Sequence, residues 1–139
     1  MLFMEGILKQ NMPVWDKCIA TFFVQDMKDG KLPIRYFKEY MIQDSIYLKN
    51  YARVYGKAIY YAETLREIQL YYSILNFVTD TESAIRLNYL RQFGMTDDDI
   101  EFIDPLPENQ NYIDFLFETA ECGNGCEILM AVLPCMLSY

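Results

Sequence analysis

The stretch from Pro33 to Ala62 constrains this chain more than any other, because its apolar residues recur with the period of one long helix. At about 3.6 residues per turn, Phe37, Tyr40, Met41, Tyr47, Leu48, Tyr51, Tyr55 and Ala58 fall on one stripe. Lys38, Glu39, Lys49, Asn50, Arg53 and Lys57 form the opposite, wetted face. Asp44 interrupts the apolar stripe in its middle. Burying even a neutral polar group without a partner costs roughly 2–7 kcal/mol, so a ligand, a cation or a proton is expected to meet this carboxylate.

The rest of the chain reads as helices with no convincing strand. Leu2 to Met27 is mostly amphipathic, with Phe3, Ile7, Trp15, Ile19, Phe22 and Phe23 as expected core and a possible true start at Pro13. Gly30 closes this region and Pro33 opens the next helix. A capping-box pattern at Thr64-Leu65-Arg66-Glu67 starts a helix that runs to Phe93 and stops at Gly94, burying Ile68, Tyr71, Leu75, Val78, Ile85 and Tyr89. Thr96 with Asp97 to Asp99 opens a short helix, Asn111 to Cys122 is helical, and Gly123-Asn124-Gly125 separates it from a last apolar helix, Cys126 to Tyr139. At 139 residues, without a break in composition, the expectation is one all-α domain.

Composition excludes several classes of function. With 12 basic and 20 acidic residues the net charge is -8, which argues against nucleic acid and anionic membrane as partners. The longest apolar run, Ile128 to Leu137, is too short to span a bilayer and contains Pro134. Met1 to Gln10 lacks the basic start and cleavage site of a signal peptide, so a cytoplasmic protein with reduced cysteines is expected. There is no histidine, which removes Ser-His-Asp and Cys-His catalysis and histidine-based metal sites. Any acid or base is therefore Asp, Glu, Tyr or Cys, and no metal or nucleotide cofactor site is visible.

Three features carry possible chemistry. Leu133-Pro134-Cys135 places a proline inside a helical pattern, removing one backbone hydrogen bond beside a thiol. Inert packing is the common fate of a free cysteine, and presentation to a cavity as a nucleophile is the alternative. Cys18 reads as packing. Cys122 and Cys126, four apart, could share a helix face, but two ligands do not make a zinc site, and packing or capping is the plainer reading. Tyrosine is abundant, with 12 copies beside nine phenylalanines. Tyr47 lies one turn after Asp44, and Tyr112 follows Asn109-Gln110-Asn111 near a helix start. Singly, such tyrosines fill helical cores. Together, aromatic faces, a carboxylate and a thiol suit a planar, electron-poor heterocycle.

Read in order, Gly30-Lys31-Leu32-Pro33, Phe37, Tyr40, Gln43-Asp44, Tyr47-Leu48, Tyr51-Ala52-Arg53, Glu82, Tyr112, Ala131-Val132-Leu133-Pro134-Cys135 and Tyr139 resemble the TenA family, also called thiaminase II. The match runs from about Phe23 to the C-terminus, and Gln-Asp-x-x-Tyr-Leu joined to Leu-Pro-Cys is its specific part. The resemblance implies an all-α, haem-oxygenase-like multi-helix bundle without haem. It also implies hydrolysis in thiamin salvage: aminomethylpyrimidine to hydroxymethylpyrimidine and, less efficiently, cleavage of thiamin. Carried onto this chain, it makes Cys135 the nucleophile and Asp44 the group that holds and protonates the ring nitrogen and amino group. Tyr47 and Tyr112 would line or stack on the ring, and no cofactor is implied.

The chain departs from the family pattern in three places. Thr21-Phe22-Phe23 stands where the family carries His-Pro-Phe, and Arg86 where it carries a histidine. The family also continues beyond the position of Tyr139 through helices that supply a further tyrosine and the glutamate thought to donate a proton. A bundle incomplete at its C-terminus would expose part of the tyrosine stripe, so a homo-oligomer, dimer or tetramer, is expected. The alternative function is a non-catalytic pyrimidine-binding, regulatory or interaction protein, since fold does not guarantee activity.

Overall fold

In the computed structural model, residues 2–138 are described, with the side chains of Leu2, Thr81, Glu82 and Ser138 left aside. The matched Tyr139 and the Glu82 side chain thus lie outside the described residues. Every regular element among the described residues is helical: α1 (Leu2–Ile19), α2 (Phe22–Lys28), α3 (Ile34–Tyr61), α4 (Leu65–Asn76), a π-helical segment (Phe77–Glu82), α5 (Ser83–Gln92), α6 (Asp97–Ile100), α7 (Pro107–Cys122) and α8 (Gly125–Ser138). No helix is long and apolar enough to cross a membrane. The chain divides into two compact units, one up to Phe37 and one over Lys38–Leu137.

In the first unit the amphipathic stretch is two helices. The break falls at Ala20 and Thr21, where the Thr21 hydroxyl donates to the Cys18 carbonyl at 2.7 Å and the Gln25 side-chain amide donates to the Ile19 carbonyl at 2.6 Å. Both bonds satisfy carbonyls that the end of α1 leaves open. Pro13 lies inside α1 rather than at its start. The expected core of this region is largely uncovered: Phe3, Ile19 and Phe22 are exposed, Phe22 at 88%, and Ile7, Trp15 and Phe23 are half-buried. Gly30 closes the unit at φ 69°, in the left-handed region that a β-carbon disfavours, while the Lys31 and Leu32 amides both donate to the Asp26 carbonyl.

In the second unit α3 is the element on which the others converge. Its tyrosine stripe is buried as its period predicts, with Tyr51, Val54, Tyr55 and Ala58 almost wholly covered, and the exposure expected of the stripe around Tyr47 and Tyr51 is not found, because residues of α5, α7 and α8 are buried with it. Asn50, assigned to the wet face, is instead buried: its amide donates to the Ile46 carbonyl at 2.9 Å and its oxygen accepts from Arg53 at 3.0 Å, so burial leaves no polar group unmet. Leu90, Leu116, Ile128 and Val132 complete the core from α5, α7 and α8.

The capping boxes at Thr64 with Glu67 and at Thr96 with Asp99 form as the sequence predicts. The helix expected from Thr64 to Phe93 is broken by the π-helical turn, beyond which Ile85 and Tyr89 are exposed rather than core. Pro107 begins α7 earlier than expected, as a first-turn proline that needs no amide donor.

Candidate active site

The geometry around Tyr47 begins with Gln43. Its side-chain oxygen accepts from the Leu106 amide at 2.9 Å and from Asn109 Nδ2 at 3.0 Å, while Asn109 Nδ2 also reaches the Gln43 backbone carbonyl at 2.9 Å. These bonds hold the first turn of α7 against α3 beside Asp44. One turn further along each helix, the rings of Tyr47 and Tyr112 lie 5.7 Å apart and 11° from parallel. Phe115 extends the stack at 6.2 Å from Tyr112.

Helix α8 supplies the third wall. Pro134 cannot donate to the Met130 carbonyl, so the helix loosens its own backbone pairing there. At the neighbouring carbonyl, Ala131, the Tyr112 hydroxyl donates at 3.0 Å. Cys135, one residue past the proline, is half-buried. Its thiol lies near enough to Tyr47, Tyr51, Tyr55 and Tyr112 to oppose ionisation of each. The expected residues Tyr47, Tyr112 and Cys135 are therefore brought together. Asp44 is half-buried on α3, one turn before Tyr47 and Leu48.

Burial is the first cause that raises the pKa of Tyr47 far above the ordinary tyrosine value, followed by Cys135, Tyr112 and Tyr51. The Tyr47 hydroxyl is buried, with the Cys135 sulfur beside it. Tyr51 is raised by burial and by donating to Tyr55 at 3.5 Å. Tyr112 is raised by burial and then by Cys135, with the Tyr47 hydroxyl acting in the opposite sense. The result is a set of neutral phenols beside a thiol: hydrogen-bond donors and flat apolar faces, with one carboxylate a helical turn away.

Cys122 and Cys126 do not share a helix face. Cys122 ends α7 and Cys126 lies at the start of α8, and both are exposed. Asn124 separates them by accepting from the Cys126 and Glu127 amides at 2.9 and 3.2 Å. Cys18 is exposed as well, against the packing role expected of it. No three Cys, Asp or Glu side chains converge as metal ligands among the described residues. Sequence reasoning gave no role to Gln43 or Asn109, although both stood inside quoted motifs. The signal available was their polarity at the two edges of the apolar pattern.

Comparison with known proteins places this arrangement. The family model described as TENA/THI-4/PQQC matches residues 8–139. The chain is 27% identical over 139 residues to a protein of Halalkalibacterium halodurans named aminopyrimidine aminohydrolase, covering 100% of this chain and 62% of that protein. It is 30% identical over 125 residues to a Bacillus subtilis protein of the same name, covering 90% of this chain and 53% of that one. Among solved structures, a TenA homologue from P. horikoshii OT3 superposes with a TM-score of 0.87 at 29% identity, over 98% of this chain and 63% of that chain. The chain thus spans about three fifths or less of the length of these relatives. Matched by the family model along nearly its whole length, and sharing the helical fold of a solved homologue, the chain belongs to the TENA/THI-4/PQQC family.

Proposed function

We propose that this protein hydrolyses aminopyrimidines of thiamin salvage, with Cys135 as nucleophile and Asp44 as the acid that holds the ring nitrogen and amino group. The observation that carries this reading is the convergence of the parallel Tyr47 and Tyr112 rings with the Cys135 thiol. Relatives named aminopyrimidine aminohydrolase support it.

In this reaction the Cys135 thiolate forms a bond to a ring carbon and breaks the ring's aromaticity, and the displaced electron pair is accepted at the ring nitrogen with a proton from Asp44. The electrons then return to expel the group on the exocyclic methylene, ammonia from aminomethylpyrimidine or the thiazole from thiamin. Water adds to that methylene and loses a proton, and departure of the thiolate restores the aromatic ring. The balance is substrate plus water giving hydroxymethylpyrimidine plus the leaving group. The neutral tyrosines supply stacking faces and donors without competing as bases. Self-association is part of the proposal, because large apolar side chains such as Phe22 and Phe102, at 88% and 89% exposure, stand uncovered in the single chain.

The test is incubation of the protein and of Cys135→Ser with aminomethylpyrimidine and, separately, with thiamin, following hydroxymethylpyrimidine by mass spectrometry. Turnover by the unaltered protein alone is the expected result. Equal turnover by both would remove Cys135 from the reaction. A folded protein that binds the pyrimidine without turnover would mark a binding protein instead.

A further inference from the structure

Helices α4, α6 and α8 each close their own first turn. The third residue of each accepts from the N-cap amide: Glu67 from Thr64 at 2.9 Å, Asp99 from Thr96 at 2.7 Å and Glu127 from Asn124 at 2.7 Å. Helix α7 is built differently. Its N-cap, Leu106, has no polar side chain to offer, and its third residue, Asn109, bonds to α3 instead. The Leu106 amide is met by Gln43 Oε1 at 2.9 Å, so α7 takes this acceptor from a residue 63 positions away in sequence. A cap borrowed from another helix fixes where α7 lies as well as where it starts.

Gln43 and Asn109 stand one turn ahead of the two tyrosines. The Gln43 carbonyl lies four residues before Tyr47, where the helical pattern makes it the acceptor of the Tyr47 amide, and Asn109 lies three residues before Tyr112 on the same face of α7. Asn109 Nδ2 reaches that carbonyl at 2.9 Å and Gln43 Oε1 at 3.0 Å, while Glu39, one turn back on α3, holds the Gln43 amide nitrogen at 3.5 Å. Two bonds to one residue set both the height of α7 along α3 and its rotation, and the near-parallel Tyr47 and Tyr112 rings follow one turn on. Tyr112 carries the setting further. Its hydroxyl donates at 3.0 Å to the Ala131 carbonyl, four residues before Cys135 in α8, on a turn where Pro134 has already removed one backbone bond.

We propose that Asn109 is a positioning residue for Cys135, setting α7 on α3 so that the Tyr112 hydroxyl holds the turn of α8 that carries the thiol. Were Asn109 needed only to start α7, an aspartate there would serve better: it could accept from the Leu106 amide as Asp99 does from Thr96, and it would suit the positive end of the helix. In the joint with Gln43, an aspartate has no hydrogen to donate and sets oxygen against oxygen.

Asn109→Asp therefore separates the two roles. The full chain and its variants are alkylated with iodoacetamide, and the rate at each cysteine is read by peptide mass spectrometry. Asn109→Asp should keep the circular dichroism spectrum and speed alkylation of Cys135 about threefold or more, with Cys18, Cys122 and Cys126 unchanged. Tyr112→Phe cuts the link to Ala131 and should also speed Cys135 alone, and adding Asn109→Asp to it should change that rate by less than about twofold further. In the proposed hydrolysis, Asn109→Asp should lower kcat about tenfold or more. The effect on turnover rests on that proposed reaction, whereas the effect on the thiol does not. An unaltered protein without turnover but with the expected Cys135 rates would remove the reaction and keep the positioning role. An unchanged Cys135 rate in Asn109→Asp, equal speeding of all four thiols, or independent effects of the two substitutions would each overturn the proposal.

Discussion

Asn109 donates from one amide nitrogen to both the backbone carbonyl and the side-chain oxygen of Gln43, joining α7 to α3 across 66 residues of sequence. Because Gln43 also accepts from the Leu106 amide, one glutamine fixes where α7 begins. Gln43→Ala removes the acceptor of the exposed Leu106 amide and one of the two acceptors of Asn109, whose bond to the backbone carbonyl remains, and is expected to cost about 0.5–1.5 kcal/mol of stability, measured by urea unfolding. Gln43→Glu, which retains an acceptor at that position, should lose less. Equal losses in the two variants would show that the joint is not held by these bonds.

Tyr112 combines a stacked ring with a hydroxyl bound to the Ala131 carbonyl. Tyr112→Phe keeps the ring and should cost about 1 kcal/mol. Tyr112→Ala removes the wall facing Tyr47 and should cost about 2–4 kcal/mol, below the range for a wholly buried aromatic because Tyr112 is half-buried. Thermal unfolding of the pair separates the hydroxyl from the ring.

On the proposed reaction, Asp44→Asn keeps the size of the side chain and removes its acid. A fall of about 10²–10⁴ in kcat/KM with no loss of stability is the expected result. Steady-state kinetics with aminomethylpyrimidine would decide it, and an unaffected rate would assign the proton to another group.

Tyr47, Tyr51 and Tyr55 all have pKa values raised by burial, so they remain protonated in the folded protein when the unfolded chain ionises near the ordinary value of about 10. Below that pH folded and unfolded states bind the same protons at these groups, and their effect on stability is flat. Above it the unfolded state binds fewer, and stability falls by up to about 1.4 kcal/mol per pH unit for each such tyrosine. Denaturant unfolding from about pH 8 to 11 should show this steepening. A profile without a bend near the ordinary tyrosine value would count against the buried cluster.

The Arg86 side chain, 12% exposed, donates from Nη1 to Ser45 Oγ at 3.0 Å and to Asp97 at 2.9 Å. Its Nε is buried without a partner among the described residues. A part-satisfied charge of this kind adds little net stability, so Arg86→Met should fall within about 1 kcal/mol of the parent or exceed it. Arg86→Ala, which also opens a void, should lose about 1–3 kcal/mol. A large loss in the methionine variant, seen by calorimetry, would reveal an ion pair stronger than its geometry implies.

Local rules settled much of this protein before any helix met another. The bounds of α3, the boxes at Thr64 and Thr96 and the stop at Gly94 rest on residues within a few positions of each other, where side-chain-to-backbone bonds and the helical period act directly. The burial of Tyr51 and Tyr55 was legible for the same reason. Periodicity identifies an apolar face but not whether anything covers it, which is why Phe22 and Ile85 match a core pattern and stand exposed. Nor does it see a bond such as Asn50 to Ile46, which lets a polar side chain sit dry. The Gln43–Asn109 joint depended on packing between segments 66 residues apart in sequence. So did the meeting of Tyr47, Tyr112 and Cys135: residues on three helices share a site only after those helices have docked, and the docking is decided by the fit of buried surfaces that no local spacing records.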